Sequence, residues 1–110
     1  MGLLGELLIR NDSAVRTPDV PRQSDAAVFA VDVTRAFGSV APEMTIAVEH
    51  RNSAQDTWAT AGTFTTVTSE GLKSATVSNL REFVRLRFEL TVGSTNAFMR
   101  FQILPPIWKR

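Results

Sequence analysis

Phe83-Val84-Arg85-Leu86-Arg87-Phe88-Glu89-Leu90-Thr91 is the stretch whose reading decides the fold. Val84, Leu86, Phe88 and Leu90 make an apolar face, and Arg85, Arg87 and Glu89 make a charged one. A period of two is the mark of a half-buried strand, and alternation this clean belongs to antiparallel sheets with one wet face. Residues 97–104 repeat it, with Met99, Phe101 and Ile103 set against Arg100 and Gln102. Gly93-Ser94-Thr95-Asn96 lies between the two runs and predicts a hairpin joining them. Upstream, Phe29, Val31 and Val33 alternate with Ala30, Asp32 and Thr34, and Met44, Ile46 and Val48 alternate with Thr45, Ala47 and Glu49. Weaker strands are expected around Thr57–Thr66 and Lys73–Ser78, where β-branched residues suit a pleated surface. Turn signals at Gly38 to Pro42, Asn52 to Asp56 and Ser69-Glu70-Gly71 punctuate the runs. The expected fold is all-β: a single small antiparallel β-sandwich or flattened barrel of roughly seven or eight strands, with extended N- and C-terminal arms.

The ends read differently from the middle. Leu3, Leu4, Leu7 and Leu8 fit one helical face, while residues 6–10, with Leu7 and Ile9 among them, read as a short strand. Asn11 to Asp25 is polar and carries Pro18 and Pro21, each of which fixes its own backbone and disfavours helix before it. Residues 1–26 therefore read as an arm, 27–104 as the β domain and 105–110 as a tail. That tail leaves the last strand through Pro105 and Pro106, which cannot continue a ladder, and then displays Ile107 and Trp108. Two readings stand for Trp108. It folds back to cap the core, or it inserts into a neighbouring subunit, Trp and Arg being enriched at interface hot spots. On the second reading the interface residues are Leu3, Leu4, Leu7, Leu8, Ile9, Ile107, Trp108 and Arg110.

Composition narrows the function. The 110 residues make one domain, and twelve Lys and Arg against eleven Asp and Glu leave a net charge of +1. A dedicated nucleic-acid binder carries a strong basic excess, so no nucleic-acid partner is expected. Without cysteine there is no thiol nucleophile, disulfide scaffold or thiolate metal site, and the single histidine, His50, excludes a multi-histidine cage. His50 also lacks an orienting carboxylate, because Glu49 points to the opposite face of its strand. No glycine-rich phosphate loop, calcium loop or paired-acid spacing is present. The expectation is a protein that is not an enzyme, with no cofactor and no metal. The apolar start lacks a basic n-region and is interrupted by Glu6, which also occupies the position where myristoylation requires Ser or Thr. No membrane association is expected, and the chain reads as made in a cytoplasm.

Two further features carry alternatives. Arg85, Arg87 and Arg100, with Phe83 or Phe98 beside them, could form a basic stripe suited to single strands, or lie as a solvated face neutralised by Glu82 and Glu89. Trp58, after Asp56-Thr57, reads as a sugar-stacking platform or as a core anchor at a strand start.

Residues 27–104 resemble the short all-β virion proteins of tailed bacteriophages. The resemblance runs through Val31-Asp32-Val33-Thr34, the alternating strand Pro42 to Glu49, Asp56-Thr57-Trp58, Gly62-Thr63-Phe64, Gly71, and the closing Phe83-Val84-Arg85-Leu86-Arg87 to Ile103. It implies a structural role decorating or cementing the capsid surface, with the major capsid protein or another virion protein as partner. Capsid symmetry makes a homo-oligomer natural, a trimer above all. A tail-associated carbohydrate-binding or host-attachment module using Trp58 is the alternative, as is a head–tail joining or minor tail protein. The family has no catalytic motif, so no functional residue carries over.

Overall fold

The computed structural model describes residues 5–10, 14–38, 42–92 and 97–109, with 5–10, 91 and 92 described through their backbone alone. Ten strands form in chain order: β1 (Gly5–Arg10), β2 (Ala14–Arg16), β3 (Val20–Pro21), β4 (Ala26–Phe37), β5 (Glu43–Arg51), β6 (Ala59–Thr63), β7 (Gly71–Val77), β8 (Phe83–Val92), β9 (Phe98–Ile103) and β10 (Ile107–Lys109). All pairings are antiparallel, in two sheets of five strands. The first sheet holds β1, β9, β4, β10 and β7, and the second holds β2, β3, β8, β5 and β6.

Two pairs of short strands are single courses interrupted by proline. β2 and β3 run along one edge of β8, at Glu89–Arg87 and Val84–Phe83, with Pro18 in the gap. Thr17 bridges that gap: its N–H donates to the Leu86 carbonyl and its hydroxyl accepts from the Leu86 N–H, both at 2.9 Å. β9 and β10 run along one edge of β4, on either side of Pro105-Pro106, with the Leu104 N–H donating to the Ala30 carbonyl at 3.1 Å in between. Eight courses remain when each pair is counted once. Their order is 1-8-3-6 in the first sheet and 2-7-4-5 in the second, so the pairs 1-8, 2-7, 3-6 and 4-5 are all hydrogen-bonded. A long hairpin rolled into two sheets has this connectivity, which is that of a jelly roll.

This topology corrects three expectations. β8 and β9 do not form a hairpin: they lie in opposite sheets, and β8 pairs with β5 while β9 pairs with β4. Local alternation declares a strand and its buried face, but nothing in it selects the neighbouring strand. The double proline interrupts the final ladder without ending it, because three residues suffice to pass the missing donors before β10 resumes on the same edge. The segments read as arms are extended, as their prolines dictate, but they are paired into the sheets. β1 pairs with β9 over its whole length, and the segment after it is fastened to the β8 side of the second sheet. Arg22 does part of this fastening, its N–H reaching the Glu82 carbonyl at 2.9 Å and its guanidinium reaching Asp25, Glu82 and the Leu80 carbonyl. Ser24 in turn donates its hydroxyl to the Lys109 carbonyl, tying this segment to the tail.

The core lies between the sheets. Phe29, Val31 and Val33 of β4 and Met99, Phe101 and Ile103 of β9 face Met44, Ile46 and Val48 of β5 and Val84, Leu86, Phe88 and Leu90 of β8. Phe88 and Phe101, both fully buried, meet across it with ring centroids 4.4 Å apart. At the margin the sheets close on each other at Gly62 of β6, where a side chain would collide with Val77 of β7.

Candidate docking face

The two outer faces differ in kind. On the second sheet, cross-strand register sets Glu49 beside Arg85, and the carboxylate accepts from the guanidinium at 2.8 Å with both side chains largely covered. Arg87 donates to Glu89 at 2.9 Å. Trp58 lies here too, half-buried, with the Arg51 and Arg85 guanidinium carbons 4.2 Å and 4.1 Å from its ring centroid. It is therefore not a core anchor, and a sugar stacking on it competes with two cations already engaged. Two of this face's arginines are thus paired with carboxylates, while Arg16, exposed and opposite Arg87, has none among the described residues.

On the first sheet, register brings different residues together. Val28 stands between Thr76 and Ile107, Asp32 between Leu72 and Gln102, Arg35 faces Arg100, and Phe37 faces Phe98. Directly opposed residues share a face, so these belong to one outer surface. The three large hydrophobic side chains most exposed among the described residues, Phe37 (41%), Leu72 (65%) and Ile107 (64%), all lie on it. Beside Leu72 opens a pocket of about 290 Å³ lined by Phe64, Thr66, Ser69 and Lys73. A second depression of about 330 Å³ is lined by Thr34, Arg35, Phe98 and Arg100.

The sequence-derived candidates are distributed accordingly. Ile107 is exposed on the first sheet's outer face. Trp108, its neighbour, points the other way and packs on the core, edge-to-face with Phe29 at 6.4 Å, so the tail's two apolar side chains serve different surfaces. Leu7, Leu8 and Ile9 lie in β1 at the register positions of Phe101, Arg100 and Met99. Leu3, Leu4 and Arg110 lie outside the described residues. Arg85 and Arg87 belong to one sheet and Arg100 to the other, so the three do not form one stripe, contrary to the pairing expected of their strands. Arg35, Phe37 and Leu72 were not among the candidates. A register shift between Val33 and Arg35 turns Arg35 and Phe37 outward, and a bulge of this kind leaves no mark that alternation alone reveals.

His50 is the one buried polar or charged residue among those described, 8% exposed at the end of β5. Its Nδ1 accepts the Arg81 N–H at 3.2 Å, so that nitrogen is unprotonated. Burial first, and the neighbouring Arg81 charge second, push its pKa below the ordinary 6.5. A neutral imidazole spent on a backbone amide fixes the turn at Leu80-Arg81, which accounts for the residue in structural terms.

No family model, curated protein or solved structure matches the chain.

Proposed function

We propose that the chain is a structural protein of a bacteriophage virion, without catalytic activity, that binds the assembled capsid through the outer face of its first sheet. The observation carrying this reading is the gathering of Phe37, Leu72 and Ile107 on one face while the opposite face is laced with its own ion pairs. The three are spaced along β4, Ile107 beside Val28, Leu72 beside Asp32 and Phe37 near its end, and what supports the reading is that all fall on the same sheet face. The terminal strands contribute to that face by register, β1 at its edge and β10 through Ile107. The docking residues of the tail thus act from within the sandwich.

A cement protein stabilises a shell by mass action, binding the assembled lattice and not the free subunit. A rigid jelly roll suits this, since little conformational freedom is lost on docking. The major capsid protein is the proposed partner and the capsid surface the proposed location, with a trimer at threefold sites the form that shell symmetry favours. A place in the head–tail joint or tail would use the same face on another partner. The test is co-sedimentation with capsids assembled in the absence of this protein. The expected result is saturable binding, abolished in Leu72→Asp/Ile107→Asp with the circular dichroism spectrum unchanged. Undiminished binding by that variant overturns the docking face. Binding only to tails, located by cryo-electron microscopy of the virion, overturns the capsid assignment.

A further inference from the structure

One end of the first sheet's outer face is chemically unlike the rest. Arg35 of β4 and Arg100 of β9 are direct register partners, both exposed. Like charges set opposite each other across a ladder repel. Among the described residues, neither guanidinium lies within ion-pair distance of a carboxylate; Arg22, Arg85 and Arg87 each have one, and Arg16, Arg51 and Arg81 do not, but only Arg35 and Arg100 are opposed to each other with neither paired. The next register pair is Phe37 and Phe98, whose rings stack at 5.3 Å with 24° between their planes. The Arg35 guanidinium also lies 5.9 Å from the Phe37 ring centroid. Thr34, the extra residue of the bulge, completes the wall of the depression. Two cations with no carboxylate partner among the described residues, a half-exposed aromatic pair and a concave space beside them make a seat suited to an anion.

We infer that this end of the face binds an acidic segment of the partner protein, a carboxylate lying between Arg35 and Arg100 with an adjoining apolar side chain on Phe37 and Phe98. Guanidinium forks match carboxylates in pairs of hydrogen bonds, and an anion between the two arginines relieves their mutual repulsion. The alternative anion, a nucleic-acid phosphate chain, fits less well. A single strand needs a track of cations along several phosphates. Here the pair is bounded on the same face by Asp32, one register position along the sheet, and by Glu70, whose carboxylate accepts the Ala36 N–H at 3.2 Å. The seat holds one or two negative groups.

The inference rests on the first sheet being the docking face, and it is separable from the partner's identity. The probe is a fluorescein-labelled decapeptide alternating glutamate and phenylalanine, with its glutamine counterpart and a ten-residue oligothymidylate as controls, followed by fluorescence anisotropy. The glutamate peptide is expected to bind, more weakly as salt rises, and the glutamine peptide not to bind. Arg35→Gln and Arg100→Gln should each weaken binding about fivefold, and the double variant about 25-fold. Because these changes remove a repulsive pair, none should lower the unfolding midpoint, which separates loss of binding from loss of fold. Equal binding of both peptides, no effect of the double variant, or tighter binding of the oligonucleotide overturns the inference. Peptide binding retained while capsids are not bound overturns the proposed function instead. Capsid binding that survives the double variant overturns the acidic seat alone.

Discussion

Gly62 gives the sharpest test of how the two sheets meet. It lies in β6 of the second sheet, and a Cβ placed on it would stand 2.9 Å from Val77 Cγ2 and 3.2 Å from Cγ1. The nearer contact is about half an ångström short of the 3.4 Å where ordinary van der Waals contact begins. Val77 cannot turn away cheaply: it is 5% exposed, belongs to β7 of the other sheet, and is stiff at its first torsion. Overpacking of this kind costs about 1–3 kcal/mol, partly offset by the smaller backbone entropy of alanine in the unfolded chain. Val77→Ala removes both clashing methyls at a cost of about 1.5–3 kcal/mol. In the double variant the nearest neighbour is the residue-77 Cβ at 3.6 Å, and the new methyl occupies space the valine vacated. Gly62→Ala should therefore destabilise the wild type, yet be neutral or stabilising in the Val77→Ala background. The coupling in the double-mutant cycle should amount to about 1–3 kcal/mol. Urea unfolding followed by the fluorescence of Trp58 and Trp108 measures all four proteins. Additive losses would refute the close approach of β6 and β7, and with it the closure of the sandwich at that margin.

Two further predictions concern the buried imidazole and the terminal pairing. Because the fold holds the His50 pKa below 6.5, the unfolded chain binds more protons between the two values, and stability rises with pH through that window. It should be fully present above about pH 6.5 and decline as pH falls toward the folded pKa. With a single histidine in the chain, one NMR titration reads that pKa directly, and a value at or above 6.5 contradicts the structure. The antiparallel register of β1 on β9 predicts that Glu6→Cys/Gln102→Cys closes a disulfide on mild oxidation, with no native cysteine to compete. The closed loop of roughly 95 residues should raise stability by about 4.7 kcal/mol in the chain-entropy account. Failure of these positions to cross-link in the folded monomer would argue that the N-terminal segment lies elsewhere.

Much of the sandwich was legible from residue order alone. The faces of β4, β5, β8 and β9 follow from alternation, because a strand with one buried side must place apolar residues at every second position. The core residues named by that rule, Phe29 through Val33, Met44 through Val48 and Val84 through Leu90, are the buried ones. β1 was readable as a strand over residues 6–10, and β6 and β7 fall within the weaker runs or within two residues of them. The proposed docking face was not legible. Leu72 reads as one apolar residue after a turn, and Phe37 as the last residue before Gly38. Only the ladders that join β4 to β7, β9 and β10 bring them onto the surface that carries Ile107.

Composition and periodicity thus determined by themselves that the chain is a single all-β domain, and which side of each long strand is dry. Those properties are local, set within a few residues by side-chain polarity and the pleat. Tertiary structure alone decided which strands are neighbours: that β8 and β9 part into opposite sheets, that the proline-broken ends are stitched into both, and that Trp108 turns inward while Ile107 faces out. Pairing is a non-local choice, made by the joint burial of two sheets against each other and by backbone groups that must all find partners. The placing of Arg35 opposite Arg100 is of the same kind. It depends on a one-residue bulge in β4 and on the registration of a strand more than sixty residues away.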